Sequence, residues 1–198
     1  MFVFSEPLCR SCARNFESRI HKQGLIVRRD PVFTQSLWSW NRESDGISRA
    51  LIYGLKGCSR EQKWRGFARL LLAGATPGPD QCCLVPIPSK SGKPDHAAGF
   101  ASALAKLTGF PVLSALRVVK TVEHQKTKSR EQRRLIQFAK ARPLKNANPI
   151  LVDDVVTSGA TLQAAYKALG KPVSARALCF IDRGLVADYD EACYKNHQ

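Results

Sequence analysis

Ile150 to Leu162 reads ILVDDVVTSGATL. A continuous apolar run leads into two consecutive carboxylates, Asp153 and Asp154, and then into Thr157-Ser158-Gly159-Ala160-Thr161, a short stretch of hydroxyls around a glycine. An uninterrupted apolar run of this length is the mark of a strand buried on both faces. The segment Thr157 to Gly170 that follows has helical character and stops at a glycine. Strand, tight loop and helix in that order build parallel sheets, and open α/β sheets bind ligands in the crevice outside the carboxyl ends of their strands. The loop offers backbone N–H groups at a helix N-terminus together with three hydroxyls, and Gly159 lets the backbone come close, which suits a phosphate. The GK[ST] ending of a Walker A loop is absent. Two carboxylates just before such a cradle add acceptors for vicinal hydroxyls, so the expected ligand is a sugar phosphate. Adjacent strand residues point to opposite faces, so both acids reach one ligand only if the chain turns at this point. The bland alternative is an ordinary helix cap with two solvent-facing acids.

Working outward, Val173 to Ile181 (VSARALCFI) reads as a further β-rich run and Pro149 to Val156 as the strand proper. Upstream, Pro111 to Val119 (PVLSALRVV) reads as a strand, a helix capped by Asp95 runs to about Leu107, and Cys82 to Ile87 is a buried strand after the breaker ATPGPD. Helices are expected from Asp45, where Ile47, Leu51, Ile52 and Leu55 recur on one face, and over Glu61 to Ala73. Strands alternating with helices predict an α/β fold with a doubly wound, mostly parallel sheet. The first 45 residues, with Pro7, Pro31 and the aromatics Phe33, Trp38 and Trp40, read as a small irregular N-terminal lobe, leaving 46–198 as the main domain.

The chain of 198 residues is 44% apolar and 24% charged, enough for one domain with its own core. No stretch approaches the roughly 20 consecutive apolar residues of a membrane span, and the start MFVFSEPLCRSCARNF does not read as a secretory signal. A cytoplasmic location is therefore expected. Seven cysteines, an odd number, argue for reduced thiols over a disulfide framework. Cys9 and Cys12 form a CxxC pair that can clamp zinc, but four ligands are needed; no second CxxC follows and the nearest partner is His21. Cys82, Cys83 and Cys179 lie in apolar segments and read as core.

A net charge of +15 points to an anionic partner. Residues 117 to 145 hold ten basic side chains against Glu123 and Glu131, a net +8, whereas the 18 residues from Ile181 carry four acids and two bases. With little apolar periodicity before Leu135, the basic segment reads as a long functional loop. Nucleic acid and a small polyphosphate attract it equally well.

The stretch around Asp153 and Asp154 closely resembles the phosphoribosyl pyrophosphate motif of type I phosphoribosyltransferases. The resemblance implies that the two acids hold ribose hydroxyls and that Thr157, Ser158, Gly159, Ala160 and Thr161 bind the 5′-phosphate. It also implies a pyrophosphate loop at VPIPSKSG, with Ser89 and Lys90 as contacts, and a mobile basic loop at Thr121 to Arg134. The order of features along nearly the whole chain is similar to the competence-protein ComF family: Cys9 and Cys12, Leu55-Lys56, VPIP, Gly99-Phe100, then Arg117, Thr121, Gln125 and Arg133. Three departures stand out: the cysteine knuckle lacks its second pair, Ala98 and Ala101 replace Arg and Asn around the Gly-Phe pair, and Ile136 replaces an Asn.

The resemblance implies a glycosyltransferase that displaces pyrophosphate at the anomeric carbon, with magnesium on the substrate and Lys126, Arg130, Lys128 or Lys90 offsetting the leaving group's charge. It also implies a link to DNA uptake in natural competence. Two other readings stand beside it: a component that binds single-stranded DNA, working with a DNA-uptake helicase without catalysis, and a non-catalytic sensor of phosphoribosyl pyrophosphate. The basic segment carries only Phe138 as a stacking aromatic.

Overall fold

In a computed structural model, the described residues are 11, 14, 16–18, 20, 26–28, 32–40, 45–55, 59–74, 81–89, 96–119, 137–144 and 147–184. They include strands β1 (Ile26–Arg28) and β2 (Phe33–Ser39), helices α1 (Asp45–Leu55) and α2 (Glu61–Ala73), and strand β3 (Cys82–Pro86). Helix α3 (His96–Thr108) follows, then β4 (Leu116–Val118), β5 (Phe138–Lys140), β6 (Asn148–Val156), α4 (Ala160–Ala168) and β7 (Arg176–Asp182). Five strands form one sheet in the order β1-β2-β7-β6-β3. The neighbours β2, β7, β6 and β3 run parallel, and β1 pairs antiparallel with β2. This is the α/β architecture expected from the alternation of strands and helices.

Both faces of the sheet are covered, which is why its strands read as unbroken apolar runs. Leu84, Val152 and Phe180 point to one face, where they meet Trp64 and Phe67 of α2 and Phe100 of α3. Val85, Leu151 and Cys179 point to the other, against Leu162 and Ala165 of α4 and Leu116 of β4. The helices follow their apolar spacing: Trp64, Phe67, Ala68 and Leu71 are buried along α2, and Arg65 and Glu61 pair at 2.8 Å on its outer side. Phe67 and Phe180 lie 4.6 Å apart between ring centroids and Trp64 and Phe100 5.1 Å, so an aromatic cluster fixes α2 and α3 on the sheet.

Described residues on the two sides of position 45, where the N-terminal lobe is expected to end, are in contact. β2 is a seven-residue strand beside β7 in the main sheet, Phe16 packs on Trp38 with centroids 4.7 Å apart, and both rings are fully buried. The indole N–H of Trp38 donates to the hydroxyl of Ser48 on α1 at 2.9 Å, a buried bond across the expected boundary. β2 thus extends the parallel sheet beyond β7.

The run Pro111 to Val119 also divides. Val112 makes a single parallel bridge with Leu84 on the outer side of β3, with Leu84 N–H donating to Pro111 O at 2.9 Å and Leu113 N–H to Leu84 O at 2.8 Å. Gly109, at φ +75° after α3, makes the turn into this rung. The chain then leaves the sheet and β4 pairs antiparallel with β5. That pairing continues as Val119 N–H donates to Gln137 O at 2.9 Å, so the two ends of segment 120–136 start side by side. From β3 the chain thus steps outward to the Val112 rung, then returns to lay β6 on the opposite side of β3. The order reverses between β3 and β6, and that gap is the topological switch point. Among the described residues, no helix is long and apolar enough to cross a membrane.

Candidate functional site

The switch point brings the two sequence segments together. β3 and β6 lie in register from Cys82 opposite Asn148 to Pro86 opposite Val152, and the N–H of Ile87 donates to Val152 O at 2.9 Å. Pro88 and Ser89 therefore leave β3 beside Asp153 and Asp154. Ser89 is half-buried there.

The strand does not turn at the two acids. β6 runs on to Val156, with Val155 opposite Ile181 and Val156 opposite Asp182 of β7. The reason is that Val155 and Val156 still have a neighbouring strand to pair with and a core to enter; Val156 is buried. The pair 154–180 is missing from the ladder and the faces shift there, since Val155 packs on the same side as Val152 and Val156 on the same side as Leu151. Asp153 shares a register position with Cys179, on the face that α4 covers. Asp154 lies on the face of α3, where its Oδ2 stands 3.1 Å from Nε2 of His96, the first residue of that helix. The N–H of Asp154 donates to Asp153 Oδ1 and the N–H of Val155 to Asp154 Oδ1, each at 2.9 Å, so both carboxylates are oriented by the backbone that follows them.

The turn comes at 157–159. Thr157 and Ser158 are exposed, and Gly159, buried at φ +77° and ψ 0°, heads α4. No side-chain oxygen caps this helix at Gly159, and the Ala160 N–H lies 3.4 Å from the Ser158 hydroxyl, a long contact. Hydroxyls and a lightly occupied helix start face the same end of the sheet, and an anion is favoured there by the helix dipole. Thr161 is half-buried in the first turn.

The neighbouring strand adds charge and rigidity. Burial pushes the Cys179 thiol well above its usual range, and the carboxylates of Asp153, Asp154 and Asp182 push it further. It is a neutral core group. Asp182, buried at the end of β7, accepts from the N–H of Gly184. The Arg183 N–H donates to Val156 O at 2.7 Å, and the Arg183 guanidinium lies 4.4 Å from the centroid of the Trp40 ring. A cation is thus held one strand away from the hydroxyl loop.

Asp153, Asp154, Thr157, Ser158, Gly159, Ala160, Thr161 and Ser89 all gather at the carboxyl ends of β3 and β6. Lys90, Lys126 and Arg130 lie outside the described residues, as do Cys9, Cys12 and His21. His96 is the group that sequence reasoning missed. Its only signal is that it follows the PSKSGKPD loop, beside the Asp95 expected as a cap, which also lies outside the described residues. Compared with known proteins, the sequence matches no family model and no curated protein.

Proposed function

We propose that this chain is a ComF-like protein with a type I phosphoribosyltransferase fold that binds phosphoribosyl pyrophosphate at the carboxyl ends of β3 and β6. The observation that carries the reading is the meeting of the Asp153-Asp154 pair, the 157–161 hydroxyl loop and Ser89 at the reversal of strand order. The helix start and hydroxyls would hold the 5′-phosphate, and Asp154, on the α3 side of β6, a ribose hydroxyl. Magnesium is commonly held by one or two carboxylates plus substrate phosphates and water. Asp154 alone fits that share of a shell whose other oxygens belong to the substrate and water. Bound there, the ion would offset charge on the departing pyrophosphate. The protein's own part in glycosyl transfer is to fix the ribose and, through Lys126 and Arg130 of the basic segment, to stabilise the leaving group.

Titration calorimetry tests this with phosphoribosyl pyrophosphate and magnesium, on the native protein and on Asp153→Asn/Asp154→Asn, with a short single-stranded DNA oligomer in parallel. Binding by the native protein that falls at least tenfold in the variant supports the site. Equal affinity in both proteins sinks it. A second reading, DNA binding in natural competence, is favoured by the net +8 of residues 117 to 145; DNA bound alike by both proteins, with no sugar phosphate bound, would select it.

A further inference from the structure

We propose that His96 is a positioning residue that makes the site select ribose over deoxyribose by holding the Asp154 carboxylate in one orientation. The inference rests on the sugar-phosphate reading above. His96 Nε2 and Asp154 Oδ2 are 3.1 Å apart, with side chains 22% and 18% exposed, so the contact is largely shielded from water. A carboxylate only accepts, so the imidazole donates through Nε2. The other oxygen, Oδ1, accepts from the Val155 N–H at 2.9 Å. One donor on each oxygen fixes the plane of the carboxylate. An ionised carboxylate has about four acceptor positions, so each oxygen keeps one for a ligand hydroxyl.

The two donors come from different elements. Val155 belongs to β6 and His96 to the start of α3, which is anchored by Phe100 and Leu104 in the core. The carboxylate is therefore set by the packing of helix on sheet and is not free to rotate toward solvent. A preset acceptor pays off only when the ligand brings a hydroxyl to it, because a ligand lacking that hydroxyl leaves a desolvated acceptor unmatched. Phosphate affinity, which comes from the 157–161 loop, is untouched by this contact.

The test compares ribose 5-phosphate with 2-deoxyribose 5-phosphate by titration calorimetry on the native protein, His96→Ala, His96→Asn and His96→Gln, with thermal unfolding run on each. The native protein should prefer the ribose compound by about tenfold, the scale of one hydrogen bond to a charged group. His96→Ala and His96→Asn, whose side chains do not reach Asp154, should lose most of this preference while binding the deoxy compound as before. His96→Gln, which keeps an N–H donor, should restore it. An unchanged preference, or an equal loss for both compounds, overturns the role of His96 and leaves the site reading intact. Failure of the native protein to bind either compound overturns this inference, and the sugar-phosphate reading falls with it when phosphoribosyl pyrophosphate with magnesium is not bound either.

Discussion

Gly159 sits where a side chain would be strained whatever its size. At φ +77° the left-handed conformation costs an L-residue about 1–2 kcal/mol. Gly159→Ala should therefore lower the thermal midpoint by roughly 2–8 °C for a chain of this length, and weaken sugar-phosphate binding more than it weakens stability. Calorimetric unfolding and ligand titration on the same sample separate the two effects. Cys179 gives a residue-scale prediction of a different kind. Its folded-state pKa is raised, first by burial and then by the three carboxylates. The folded state thus retains a proton that the unfolded thiol gives up above about pH 8.5. The resulting stabilisation is complete below that value and is lost as pH climbs toward the raised pKa. In urea titrations between pH 8 and 10.5, the native protein should lose stability more steeply than Cys179→Ala; parallel curves would show that the thiol does not contribute. Asp153, Asp154 and the hydroxyl loop were legible because their chemistry is local to thirteen residues. His96 was not, because its partner lies 58 positions away, on another element.

Elements built on local apolar patterns were read closely: α2 spans the expected residues, and β3, α3 and β6 begin and end within a residue or so of expectation. β2 was not legible as a buried strand. Its sequence FTQSLWS places Thr34, Gln35 and Ser36 in the interior, and the Ser36 hydroxyl finds no partner there. Polar residues in an interior strand defeat a reading that looks for apolar runs, since backbone pairing with β1 and β7 places β2 inside the sheet whatever its side chains. Pro111 to Val119 divides for a related reason: residues of strand character serve two separate pairings. Ala101, where the resemblance leads one to expect Asn, is fully buried in α3, so this chain packs that position against its core. The contact joining β2 to α1 yields a prediction at this scale. Ser48→Ala removes the acceptor of the buried Trp38 indole and should cost about 1–3 kcal/mol. The urea midpoint should fall with an unchanged denaturant dependence; an unchanged midpoint would mean that the indole finds another acceptor.

Across the whole molecule the charge is divided. Asp153, Asp154 and Asp182 cluster at the ends of β6 and β7, whereas the net +15 is concentrated elsewhere, above all in residues 117 to 145. The β4–β5 stem fixes where that basic segment departs from the fold. Single-stranded DNA bound through it should weaken steeply with salt, by about 300-fold or more between 50 and 200 mM if six or more phosphates are neutralised. Binding of a single sugar phosphate at the switch point should weaken far less. Fluorescence anisotropy for the oligomer and calorimetry for the sugar, over the same salt series, distinguish the two; matching slopes would place both ligands on one surface.

The sheet order has a further consequence for the molecule outside its folded state. β1 and β2 are the only described strands flanking β7 on the side away from β6. A chain shortened to begin at residue 46 would expose a full row of unpaired β7 backbone groups along Ala-Leu-Cys-Phe-Ile, a template for strand addition by another copy. Such a shortened protein should elute from a sizing column at a larger apparent size, relative to its mass, than the full chain; equal behaviour would show that the β7 edge does not recruit another copy.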